Sequence, residues 1–191
     1  MKKKLHYFVL LLTAVCFGQA PIYHFPFNGN MNSSDNSVSL TSTQTQTYVS
    51  NGSTANSALY VNVPNSDAGR AGAPTALLKL LPTGNAARTV VLRVNLIATS
   101  FPDYILGWGS PANGQSFALE HGANTTTVSG WGQQSQGFSA NFTTSPAENT
   151  WLDYIIVFGG SQAKIYFNGQ EFPAVAMLNN VIGQQFVLGL S

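Results

Sequence analysis

The stretch from Thr89 to Ile97 alternates without a break: Val90, Leu92, Val94 and Leu96 fall on one side of an extended chain, and Thr89, Val91, Arg93 and Asn95 on the other. Successive strand side chains point to opposite faces, so this pattern fits a strand with one face buried. Similar short runs recur at Ile22–Phe27, Ala58–Val63, Ala76–Leu81 (read as a strand, with a short helix as the alternative), Tyr104–Trp108, Ser116–His121, Thr125–Trp131, Trp151–Phe158, Ala163–Phe167 and Phe186–Leu190. Turn formers separate them. Gly159-Gly160-Ser161 joins two runs into a hairpin, and Asn168-Gly169 marks a tight turn that requires positive φ. The polar stretch Asn32–Thr47 reads as loop or exposed edge strand, and Asn65–Pro74 as loop. About ten to twelve short strands at this spacing specify an all-β sandwich or barrel. No window shows helical periodicity strong enough to compete, and no linker divides the chain.

Charge narrows the function classes. Charged residues make up 8% of the chain, against about 25% in an average soluble domain. A formal net charge of +1 offers no basic face for nucleic-acid phosphates. Lys2, Lys3 and Lys4 precede the apolar run Leu5–Phe17 and the small-residue site Gly18-Gln19-Ala20. Residues 1–20 read as a secretory signal peptide, since the run is shorter than the roughly 20 residues of a membrane span. The mature domain is then 21–191, secreted or at the cell surface and not membrane-spanning. Cys16 lies inside the signal, and Thr13-Ala14-Val15 before it is no lipoprotein box. A disulfide-free exported chain suits a bacterial source. Loss of three lysines leaves Arg70, Lys79, Arg88, Arg93 and Lys164 against seven acidic residues, a charge of −2.

Three stretches carry a family resemblance. Tyr23-His-Phe-Pro-Phe-Asn-Gly-Asn-Met with Asp35 resembles the opening of laminin-G-like domains. Leu81-Pro-Thr-Gly-Asn-Ala-Ala-Arg-Thr-Val-Val-Leu-Arg-Val is similar to their central strand, and Trp151-Leu-Asp-Tyr-Ile-Ile-Val-Phe with Ala163-Lys-Ile-Tyr-Phe-Asn-Gly-Gln to their late hairpin. The family is the concanavalin A-like lectin and glucanase superfamily, and the resemblance spans about residues 21–190. It implies a two-sheet antiparallel jelly roll and a role in glycan binding or adhesion. Two departures stand out. Arg93 occupies a central-strand position that often carries Trp, and the chain stops at Leu188-Gly-Leu-Ser191, before the last strand of the family. The expectation is a jelly roll lacking that strand, from a truncated product or fragment.

Catalysis by this fold would need two carboxyl groups about 5 Å apart. The Glu-x-Asp-x-x-Glu motif of the glucanase branch is absent, and the acids Asp35, Asp67, Asp103, Glu120, Glu148, Asp153 and Glu171 are scattered. A cross-strand pair such as Asp103 with Glu120 stays open. The expected mature segment holds two histidines, His24 and His121, and no cysteine, too few for a zinc centre, and no Gly-x-Ser-x-Gly is present. Calcium is the one ion for which loops offer oxygens: Asn28, Asp35 and Asp103 are candidate ligands, although an ordinary Asx turn accounts for the same residues. Sugar recognition needs aromatic faces and planar polar groups. Trp108 and Trp131 beside glycines, with Tyr104, Glu120 and His121 in the same central region and Asn113 and Gln133 on adjoining loops, form the candidate patch. Tyr166, opposite in phase to Ile165 and Phe167, is expected to share a face with Arg93, and Trp151 is expected to be structural. Each of Trp108 and Trp131, taken alone, equally fits a ring that closes the end of the core. The readings are a non-catalytic module binding a glycan or cell-surface polysaccharide, a glycoside hydrolase of the same fold, or a structural surface module. Four Asn-x-Ser/Thr sites (Asn32, Asn51, Asn124, Asn141) need no explanation beyond chance in so polar a chain.

Overall fold

The computed structural model describes residues 20–51, 57–61, 73–97, 103–131 and 136–190. The expected signal segment up to residue 19 and most of the Asn65–Pro74 loop lie outside the described residues, as does Gln133. Thirteen strands form among the described residues. They are β1 (Thr47–Ser50), β2 (Ser57–Tyr60), β3 (Thr75–Leu77), β4 (Arg88–Asn95), β5 (Asp103–Gly109), β6 (Ser116–Gly122), β7 (Thr125–Ser129), β8 (Ser139–Thr143), β9 (Trp151–Phe158), β10 (Gln162–Phe167), β11 (Gln170–Glu171), β12 (Val175–Ala176) and β13 (Gln185–Leu190). A six-stranded sheet runs β3-β13-β5-β6-β7-β8, a second sheet runs β11-β10-β9-β4 with β12 also on β10, and β1-β2 form a separate ribbon. All pairs are antiparallel. No helix among the described residues is long and apolar enough to cross a membrane.

Alternation fills the space between the sheets. Leu152, Tyr154, Ile156 and Phe158 of β9 point inward at 0–2% exposure, while Asp153 and Ile155 between them are exposed. From the other sheet come Leu106, Trp108, Phe117, Leu119, Val128, Ala140 and Phe142, all buried. Phe117 meets Phe158 edge-on across the interior at 6.0 Å. Each large apolar side chain removed from water contributes about 2–3 kcal/mol, which lets a domain without disulfides hold together.

The turn chemistry behaves as read. Asn168 and Gly169 both take positive φ (48° and 80°) and close β10 onto β11. Elsewhere the ladders differ from expectation. Ile22–Phe27 forms no strand; its rings instead stack in series, Tyr23 on Phe25 at 6.4 Å and Phe25 on Phe186 at 6.3 Å, and close the core, with the Tyr23 hydroxyl accepting from Leu80 N–H. The expected strand Ala76–Leu81 is shorter, Thr75–Leu77: Leu78 N–H still bonds Gln184 O in register, and the chain then turns, with Leu81 N–H returning to Leu78 O. β8, inside a polar stretch, was not expected. β13 is an interior strand flanked by β3 and β5; among the described residues the edges are β3 and β8 in the six-stranded sheet, and β4 opposite β11 and β12 in the other.

Candidate functional site

The outward face of the six-stranded sheet is organised in rungs. One rung aligns Tyr104, Glu120, Thr127 and Asn141 across β5, β6, β7 and β8. It is polar and aromatic, and the Thr127 hydroxyl donates to Asn141 Oδ1 at 2.8 Å. The parallel rung aligns Val187, Gly107, Ala118, Ser129 and Ser139. These residues are small, and a Cβ on Gly107 would come within 3.0 Å of the Ala118 Cβ. Trp131 sits just beyond β7 with φ of +61°, a conformation that turns the chain back on itself. Its N–H reaches the Ser129 hydroxyl at 3.2 Å. Its ring stacks on Tyr104, centroids 5.9 Å apart. To reach β5 from the end of β7, the indole must cross the small-residue floor at β6. Both rings remain half-buried rather than sealed. Tyr104, Glu120 and Trp131 are therefore brought together, on a platform that pairing builds and sequence spacing alone does not reveal.

The other candidates go elsewhere. Trp108 is a correction: it is 4% exposed, with Phe117 at 4.8 Å, and its indole N–H donates to Pro82 O at 3.1 Å. His121 is a second correction, at 4% exposure in phase with Phe117 and Leu119. Neither presents a surface to a ligand. Arg93 and Tyr166 do share a face, that of the five-stranded sheet on the opposite side of the sandwich: Arg93 pairs across with Asp153, and Tyr166 with Ile155. The Arg93 guanidinium lies 5.7 Å from the centre of the Trp151 ring and 3.8 Å from Asp153. Both ionic partners are exposed, so the pair contributes little. Asn113, on the β5–β6 loop, donates to Gln136 Oε1 at 3.2 Å.

The calcium candidates are engaged within their own loops. Asp35 Oδ1 accepts from the hydroxyls of Ser33 and Ser37 and from Ser37 N–H, and these bonds hold its carboxyl below the ordinary range. Asn28 Oδ1 accepts from Ser57 N–H. Asp103 opens β5 opposite His121, and its side chain is outside the described ones. No cluster of three His, Cys, Asp or Glu occurs among the described residues. The carboxylates occupy separate elements. Glu120 has no acidic neighbour on its rung, and Asp103 belongs to the adjacent one. Glu171, on the five-stranded sheet, is held below the ordinary range by Lys164 of the neighbouring strand, 2.7 Å away.

Sequence reasoning missed Arg88 as a core residue. It is 5% exposed; Nε and Nη2 donate to Ala86 O and Gly84 O, and the guanidinium lies 4.9–5.8 Å from the ring centres of Phe158, Phe117 and Trp108. Burial pushes it down to about 10. Its position at the first residue of β4, in phase with Val90 and Leu92, was the available signal.

No protein-family model matches the sequence, and no curated protein matches it. Among solved structures, the chain is similar to domain 4 of AbnA, a GH43 extracellular arabinanase from Geobacillus stearothermophilus, solved in complex with arabinotriose. The TM-score is 0.61 at 14% identity, over 89% of this chain and 83% of that one. Domains LG4-5 of the mouse laminin α1 chain align at TM-score 0.44 and 13% identity, over 60% of this chain and 31% of that one. The first likeness shows the fold, a β-sandwich of antiparallel sheets.

Proposed function

We propose that this chain is an exported, non-catalytic module that binds a neutral glycan or mediates adhesion through one, on the outward face of its six-stranded sheet. The stacked Trp131–Tyr104 pair over the floor of Gly107, Ala118 and Ser129 carries this reading. Aromatic faces accept the C–H side of a sugar ring, and Glu120 and Asn141 on the adjoining rung offer acceptors and donors for its hydroxyls. The platform is shallow, so binding is expected to be weak. A sandwich of this fold that holds arabinotriose makes that trisaccharide a natural first probe. Export rests on the Lys2–Ala20 pattern. A glycan array probed with the protein and with Trp131→Ala and Tyr104→Ala tests the assignment. Binding to a neutral oligosaccharide, lost in both variants, is expected. Silence across the array, or binding indifferent to both substitutions, contradicts it.

A further inference from the structure

At the end of the sandwich where β5 turns into β6, five chain segments meet around a cleft of about 330 Å³. Its lining is rich in carboxamides: Asn85, Asn113, Gln115, Asn179 and Asn180 surround it, with Phe138 and the exposed Leu178 as apolar walls. Among the described residues, no Asp, Glu, Lys, Arg or His lines it. The backbone holds the segments in place. Asn180 N–H donates to Gly114 O at 2.6 Å, Ile182 N–H to Gln115 O at 3.0 Å and Leu178 N–H to Gly137 O at 2.8 Å. Gly114, with φ of +68°, lies so close under Phe138 that a Cβ would come within 2.8 Å of the ring. The Phe138 ring is thereby fixed at the wall.

Asn179 forms the floor and is 7% exposed. Its Nδ2 donates to Ser116 O, which settles which way round the amide sits, and leaves Oδ1 as a buried acceptor with no partner among the described residues. The Ser116 hydroxyl nearby is likewise buried without one. Buried polar atoms are normally paired, and a carboxamide oxygen so placed calls for an O–H or N–H donor. We infer that this cleft is a second binding site, separate from the Trp131–Tyr104 platform, for a neutral polyhydroxylated ligand: a single sugar residue or the end of a glycan chain. Charged ligands are disfavoured, because no lining side chain neutralises them. Hydroxyls suit the site, since each carboxamide offers both donor and acceptor in one plane. Phe138 and Leu178 receive the apolar face of the ring.

The test is a titration of the uniformly ¹⁵N-labelled protein with arabinotriose, arabinose, glucose and galactose, reading side-chain carboxamide and backbone amide resonances. The expected result is saturable shifts at Asn113, Asn179 and Asn180 with at least one of these sugars. The exposed substitutions Asn113→Ala and Asn180→Ala leave the fold intact and should each weaken those shifts by about five- to tenfold, the worth of one hydrogen bond. Tyr104→Ala should leave them unchanged. No shift in the cleft with any of the four sugars overturns the inference. So does binding that Tyr104→Ala abolishes and the two asparagine variants leave untouched, an outcome that spares the platform reading. Cleft shifts lost only in the asparagine variants support the cleft and leave the platform to its own test.

Discussion

Arg88 shows how much a single side chain can tie together. Its guanidinium carries two charge-assisted bonds to the Gly84 and Ala86 carbonyls, and three aromatic faces surround it. Ring faces and carbonyl oxygens favour the cation, whereas burial opposes it. Removing the side chain leaves both carbonyls and a void in the core. Arg88→Ala is expected to lower unfolding stability by about 3–5 kcal/mol, and Arg88→Met, which keeps the volume, by clearly less. Urea midpoints at constant slope check this; equal midpoints for Arg88→Ala and the parent would contradict it. Asp35 supports a pH prediction. Its native carboxyl is held below the ordinary value of 3.8, so on acidification the unfolded chain takes up the proton first. Its contribution is present at neutral pH and is lost as pH falls through its native value. Asp35→Asn should flatten the acid side of a stability-versus-pH curve, and an unchanged acid slope would refute the turn's role.

Among the elements, the β9–β10 hairpin was legible to within one residue, Gln162 being the addition. Trp151–Phe158 and Ala163–Phe167 alternate cleanly, and Asn-Gly admits few turns other than one with positive φ. Asn168 also accepts Asp153 N–H on its side-chain oxygen at 2.9 Å. Asn168→Ala should therefore cost about 1–2 kcal/mol, from left-handed strain plus one lost bond, while Asn168→Gly should cost less. Thermal midpoints in the reverse order would refute this. The site was legible only in part, and β5 gives the reason. A bulge between Tyr104 and Leu106 shifts the register. Strict alternation would place Tyr104 and Trp108 on one face; the bulge sends Tyr104 outward and leaves Trp108 in the core. His121 follows Phe117 and Leu119 inward by plain alternation, a phase the sequence does contain. β8 escaped because its apolar residues, Ala140 and Phe142, are few and set among polar ones. The Trp131 ring was unreadable in its placement, since a positive φ at a tryptophan has no sequence signature.

For the whole molecule, two sheets share one core, and their outward faces differ. That of the five-stranded sheet carries exposed charge pairs, Arg93 with Asp153 and Lys164 with Glu171. That of the six-stranded sheet carries the aromatic platform over small residues. The all-β class followed from turn spacing and alternation, because both are local properties. The division of candidate residues between opposite faces depends on pairing between distant strands and is not local. The central claim, that the Trp131–Tyr104 platform binds a neutral glycan, is tested most directly by tryptophan fluorescence. Trp108 is buried and Trp151 lies on the far side, so Trp131 is the reporter. Arabinotriose and a panel of neutral oligosaccharides should give a saturable change in the parent protein that vanishes in Trp131→Phe. A panel that leaves the emission unchanged at millimolar sugar, or an equal change in Trp131→Phe, would contradict it.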